Sequence, residues 1–475
     1  MAIVLLAVGF LVATVIAAVE YVQLREAQAR IEELESRGGG GGGGLFGELG
    51  EIFEDAFGEL GEGLGGGGSQ GLFGCLLPDQ PFSGEAAGEG PVEEQVQAIA
   101  DQVERLRELE FTDPVEPEVV SPQESADLVQ DLFLEEYTEA IGEVEERLLT
   151  TLGAIPAGTD LRSLRSDLLG QQVAGFYDPE TGQLVVRQAG KDLSPTDRVV
   201  LAHELDHALT DQALGIPVPD DLRAGREDAD LAGSSLAEGD ATLLMQQFSA
   251  SLPLDEQLEG FDPSAFTEAV QAQADLADLP AYLQSELTFP YEDGLTFACD
   301  LYQEGGWAAV DRAYRDPPGT TLEILFPERY REGFAPVDPR DPGLRLKAWR
   351  ATATVQMGAA PLLWLFQAPG GDPDAASADA RASVEAWAGG EVHVWTNGPD
   401  TAVAMLLAEQ PGRDTLCADV GEWYGASFQD DRETGTADGG LEATGGAQDA
   451  VVDCTADQVR VGMAPDLRTA RLLAG

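Results

Sequence analysis

The chain has 475 residues, with 27 Lys and Arg against 86 Asp and Glu, a formal net charge of −59. A surface of that sign repels nucleic acid and anionic headgroups, so no nucleic-acid partner is expected. Hydrophobic residues make up 43%, ample for folded cores, and the length allows two or three domains.

The acids are spread along the whole chain, and Lys191 and Lys347 are its two lysines. That pattern reads as a halophilic adaptation, in which salt screens the surface's self-repulsion. An ordinary acidic protein is the plainer alternative.

In chain order, Ala2 to Val19 is an uncharged run of 18 residues, long enough to span a bilayer. No Lys or Arg precedes Arg25, unlike the basic start of a cleaved signal peptide. Residues 1–24 are therefore expected to be an uncleaved transmembrane anchor of a single-pass cell-membrane protein, with the catalytic domain outside the cytoplasm. Arg25, Arg30 and Arg37 argue for the opposite orientation under the positive-inside rule. Leu24, Ala27, Ile31 and Leu34 keep coiled-coil spacing, which predicts a short helix over 25–37 and weak self-association through 24–37. Residues 38–90, with glycine runs at Gly38–Gly44 and Gly65–Gly68, read as an acidic linker.

From Pro91 onward the pattern is that of a folded protein. Helices are predicted over Val92–Glu110 and, in a pair, over Ser121–Leu152. Gln172–Tyr177 and Gln183–Arg187 read as strands of a hairpin turning at Asp178–Gly182. An edge strand here can take an extended peptide.

The next stretch carries the chemistry. Val199 to Leu209 contains His203-Glu204-Leu205-Asp206-His207, an H-E-x-x-H motif that holds two of the chain's three histidines. On a helix, i and i+4 share a face, so His203 and His207 can hold one metal ion between them, with Glu204 placed to take a proton from a water in the ion's open position. Ser194, Pro195 and Asp197 predict the helix start through a capping box, and Gly215 and Pro217 its end. A chance match on a buried helix is the bland alternative.

Catalytic zinc takes three protein ligands. Glu238 is the expected third, because it lies in Asp228–Thr242, a helical stretch rich in small residues that can press closely on the H-E-x-x-H helix. Thirty residues separate it from His207, room for a loop and a returning helix. His393, about 190 residues beyond His203, is the weaker candidate and reads as a structural strand residue. Asp206, Asp240 or Thr242 could orient a ligand, although for each a solvated or capping role is the plainer reading. The cofactor expected is one Zn2+ per chain.

Cys75, Cys299, Cys417 and Cys454 form no C-x-x-C pair, which argues against a thiolate zinc site. Cys417 and Cys454 could form a disulfide or remain two buried thiols. After about Asp372, strands at Glu391–Trp395 and Thr401–Ala408, a helix near Cys417–Phe428 and a final strand-and-helix pair predict a small C-terminal module, with Thr434–Gln448 as a flexible acidic loop.

H-E-x-x-H followed by a Glu on a second helix resembles the gluzincins, the thermolysin-like zincins. Gly175-Phe176-Tyr177-Asp178-Pro179, His203–Leu209, Glu238-Gly239-Asp240-Ala241, Pro290-Tyr291 with Gly294, Gly305-Gly306-Trp307 and Asp316-Pro317-Pro318 are similar, in order, to a largely uncharacterised prokaryotic family of membrane-anchored zinc metallopeptidases. The similarity runs from about Val92 to the C-terminus. It departs at Phe326-Pro327, where relatives are expected to carry His before the Pro. The resemblance implies peptide-bond hydrolysis of a peptide or protein substrate. It also makes Tyr291 a candidate oxyanion stabiliser, with a packed core tyrosine as the equal alternative.

The expected fold is α+β: a mostly helical zincin-like metallopeptidase domain over 91–370 with a small hairpin or sheet, and an α+β module over 371–475. The expected activity is zinc-dependent hydrolysis with His203, His207 and Glu238 as ligands and Glu204 as general base. The rivals are a zincin-like scaffold with a structural metal and an envelope binding protein.

Overall fold

The computed structural model describes residue 75 and residues 90–475, apart from 173–174, 180, 188–192, 218–225, 254–275, 341–342, 344, 378, 430–431, 436–439 and 456. The proposed anchor, the helix over 25–37 and both glycine runs lie outside the described residues. Against the expectation of a single-pass membrane protein, no helix among the described residues is long and apolar enough to cross a membrane. The two 25-residue helices have the length, but Glu238 and Asp240 in one and Glu292 and Asp293 in the other spoil the apolar run.

The described chain is α+β, with fourteen helices and sheets of three and seven strands. The helices are α1 (Val92–Arg107), α2 (Pro122–Glu136), α3 (Glu139–Thr151), α4 (Leu161–Gln172), α5 (Pro195–Ala213), α6 (Glu227–Ser251), α7 (Ala281–Gly305), α8 (Trp307–Arg315), α9 (Thr321–Leu325), α10 (Pro327–Glu332), α11 (Ala359–Gln367), α12 (Ala380–Val384), α13 (Leu416–Ser427) and α14 (Leu467–Ala474). The small sheet holds β1 (Pro117–Val120), β2 (Gly175–Asp178) and β3 (Gln183–Arg187) in the order β1-β3-β2. The expected hairpin is therefore present, with β1 added in parallel to β3.

The large sheet comprises β4 (Arg350–Gln356), β5 (Trp387–Asn397), β6 (Asp400–Glu409), β7 (Arg432–Gly435), β8 (Leu441–Thr444), β9 (Asp449–Thr455) and β10 (Gln458–Ala464), in the order β4-β5-β6-β10-β9-β8-β7. Period-two alternation sorts β6 between two cores. Val403, Met405 and Leu407 join the main core, while Ala402 and Ala404 pack with Ala470 and Leu473 of α14. A Cβ at Gly462 of β10 would lie 2.2 Å from the Ala470 carbonyl oxygen, so glycine is what lets α14 rest on this strand. The loop expected over Thr434–Gln448 instead contributes to β7 and β8, which continue the sheet, β8 pairing with β9 and β7 with β8. Two disulfides tie distant parts together: Cys417 of α13 to Cys454 of β9, and Cys75 to Cys299 of α7 across 224 residues.

At the centre, α5 is buried on every side from Val200 to Thr210, as a helix enclosed by α1, α6 and the small sheet must be. Its N-terminus has the predicted capping box: Asp197 N donates to Ser194 Oγ at 3.1 Å and Ser194 N to Asp197 Oδ2 at 2.9 Å. Gly215, at φ +82°, closes the other end by donating to the Thr210 carbonyl.

The first turn of α6 is locked to the region ahead of the large sheet. Asp228 Oδ1 accepts from Thr321 Oγ1 at 2.5 Å and Thr321 N at 3.2 Å, while its Oδ2 is buried without a partner. Burial pushes this carboxyl up to about 6, against the pull of the Thr321 bonds. A carboxyl raised on folding favours the folded state below its unfolded pKa, near 4, and loses that advantage as pH rises through about 6. Asp228→Asn keeps the Oδ1 acceptor and stays neutral. It should match the parent at pH 4 and be about 2 kcal/mol more stable at pH 7, as read by urea unfolding at both values. An equal difference at both would sink the account.

Candidate metal centre

His203 and His207 stand one turn apart on α5, and Glu238 faces them from the middle of α6. His203 Nε2 lies 3.1 Å from Glu238 Oε2 and 3.1 Å from His207 Nε2, and His207 Nε2 lies 3.6 Å from Glu238 Oε2. Three ligands at zinc-like bond lengths on one face of a tetrahedron would stand about 3.3 Å apart. The observed triangle fits a small divalent cation. Among the described residues, no fourth His, Cys, Asp or Glu joins this group.

All three ligands and Glu204 are at most 3% exposed. Burial pushes Glu238 up, but His207 and His203 more than offset it and hold the carboxyl below its usual range. It is thus ready to serve as an anionic ligand. Each histidine's Nδ1 is buried without a hydrogen-bond partner among the described residues. A cation on Nε2 puts the proton on Nδ1, and no group among the described residues fixes that tautomer.

Glu204 is tied to the small sheet. Its Oε2 accepts from the Tyr177 amide at 3.0 Å, and Tyr177's hydroxyl donates to Asp211 of α5 at 2.8 Å. The free edge of β2 thus holds Glu204 in place, so this amide of the strand is already bonded. Burial pushes the Glu204 carboxyl up to about 8, with His203 lowering it and Glu238 raising it. A cation on His203 would draw it down again.

Tyr291 of α7 completes the site. It is buried and sits with its ring 6.4 Å from that of His203. Burial first, then Glu238 and Glu204, raises its hydroxyl above the usual tyrosine value, so it remains a proton donor. The small residues of α6 explain how it arrives, in a way that differs from the expectation. Their closest approach is to α7, not α5: a Cβ at Gly239 would lie 2.1 Å from the Gly294 carbonyl oxygen, and one at Gly294 would lie 2.3 Å from that of Ser235. Backbone touches backbone one residue from Glu238 and one turn from Tyr291.

No family model matches the chain, and no curated protein does. A solved structure described as "a putative hydrolase with a novel fold", from Chloroflexus aurantiacus, is 17% identical over 55% of this chain and 95% of its own, with a TM-score of 0.33. A likeness that low carries no argument here.

His393 lies elsewhere, on β5, bonded to Thr354 and Glu391 and stacked on Trp395. Asp206 and Asp240 are neither solvated nor capping. Both are fully buried against Arg107 of α1, whose guanidinium donates to Asp240 at 3.0 Å and to Asp311 of α8 at 2.8 Å. Sequence reasoning missed Arg107, which in the last turn of a helix looks like an ordinary partner of the helix dipole. It missed Asp311 as well. Thr242 is buried, with its hydroxyl unpartnered, and Phe326, at the point of departure from the family pattern, lies under the Arg381 guanidinium.

Proposed function

We propose that the chain is a zinc-dependent hydrolase, a metallopeptidase acting on peptide or protein substrates. In this reading His203, His207 and Glu238 hold the ion and Glu204 is the general base. The observation that supports it is the buried triangle of two imidazoles and a carboxylate, with an acid next to the first histidine fixed by a backbone amide. A bound zinc ion supplies Lewis acidity, polarising a carbonyl and lowering the pKa of water. Glu204 takes a proton from the attacking water and returns it to the leaving amine. In this reading Tyr291, buried beside His203, donates to the developing oxyanion.

A second reading, a structural metal that ties α5 to α6, is favoured by the near-complete burial of all four residues. Against it stands the set of three ligands, since structural zinc sites are usually closed by four.

The test is metal analysis of the purified chain beside a peptide-hydrolysis screen, run in low and in high monovalent salt because the acidity is read as a salt adaptation. The expected result is one zinc per chain, hydrolysis that chelation abolishes and zinc restores, and a sharp fall in zinc content in Glu238→Ala. Zinc that supports melting temperature but no hydrolysis would favour the structural reading. One zinc retained in Glu238→Ala would remove Glu238 from the ligand set.

A further inference from the structure

The metal-facing side of α5 and α6 uses His203, His207 and Glu238, yet each helix carries a further buried acid beside its ligands. Asp206 immediately precedes His207, and Asp240 follows Glu238 by two residues. Both acids converge on one side chain. Arg107 Nε and Nη2 grip Asp240 as a fork, at 3.1 Å to Oδ1 and 3.0 Å to Oδ2. Nε also lies 3.8 Å from Asp206 Oδ1, and Nη1 donates to Asp311 at 2.8 Å. The guanidinium is wholly buried, with the Trp307 ring 4.6 Å away. Among the described residues neither oxygen of Asp206 has a hydrogen-bond partner, and Arg107 is the cation that faces it.

We propose that Arg107 is a positioning residue for the metal centre, stapling α5 to α6 from behind so that His207 and Glu238 meet at ligand distance. The inference rests on the metal-binding reading above. Helices slide and rotate against each other easily when only apolar side chains separate them, and one residue of slip moves a ligand by about 1.5 Å. That is far more than a zinc site tolerates. A planar fork bonded at two points fixes orientation as well as distance, and its attraction for Asp206 draws α5 to the same point. Lysine, a point charge on a flexible stem, cannot make the same set of contacts.

The experiment measures zinc affinity of the full chain by competition with a chromophoric chelator, together with the melting temperature of the metal-free protein. Arg107→Met and Arg107→Lys should each weaken zinc binding about 10–100-fold, the usual effect of removing a group that orients ligands. The control is Arg165→Met, which breaks the part-buried bridge from Arg165 to Glu145 and Glu286. It should lower the melting temperature and leave zinc affinity unchanged, separating positioning from general stability. If Arg107→Met does not fold, Arg107→Met combined with Asp206→Asn and Asp240→Asn, which removes the two fully buried acids left uncompensated, carries the same test.

A folded Arg107 variant that binds zinc within twofold of the parent overturns the staple alone. An Arg165→Met chain that loses zinc affinity equally would reduce Arg107 to a structural residue. A parent chain that binds no zinc removes the metal reading itself, and the staple with it.

Discussion

Glu204→Gln is expected to keep one zinc per chain and to lose hydrolysis by on the order of a thousandfold, the middle of the range for a general base. The substitution is conservative in shape, and the amide oxygen can still accept from Tyr177 N, a bond of 3.0 Å in the parent. What disappears is the ability to take a proton. Stability should not fall, because the parent carboxyl is buried in a place that pushes it up to about 8, and a neutral amide there avoids the desolvation penalty of a charge. The measurement is turnover of one peptide by both proteins after zinc content has been matched. Turnover within tenfold of the parent would end the assignment of Glu204 as base.

The second large effect lies where two backbones touch. Gly239→Ala places a Cβ 2.1 Å from the Gly294 carbonyl oxygen and 2.2 Å from its carbon, distances no side chain can occupy. The helices α6 and α7 must part, at a cost of about 3 kcal/mol or more. Because Tyr291 and Glu238 sit on the two sides of this crossing, the variant should also bind zinc more weakly. Gly421→Ala is the contrast, since its new methyl would meet nothing closer than Leu441 Cδ2 at 3.8 Å. Alanine in that helix should be neutral or stabilising by up to about 1 kcal/mol. Urea unfolding of the two variants side by side decides the matter. Equal stabilities would mean that the close crossing does not hold the centre together.

The sequence by itself determined those features whose physics is local. The capping box at Ser194 and Asp197, the four-residue spacing of His203 and His207 and the glycine stop at Gly215 act within a few residues of themselves, so their pattern fixes α5 and its ligand face. The hairpin of β2 and β3 and the strand β6 were readable for the same reason.

Tertiary structure decided what depends on contacts between distant segments. It brought Glu238 to the histidines and left His393 on β5, made the small residues of α6 a seat for α7, joined Cys75 to Cys299, and carried Arg107 across 133 residues to Asp240. Arg107 looks in sequence like an exposed helix-end cation and Asp206 like a solvated acid, because a charged residue carries no local mark of burial. Which acids a buried guanidinium compensates is settled only when packing excludes water from around them.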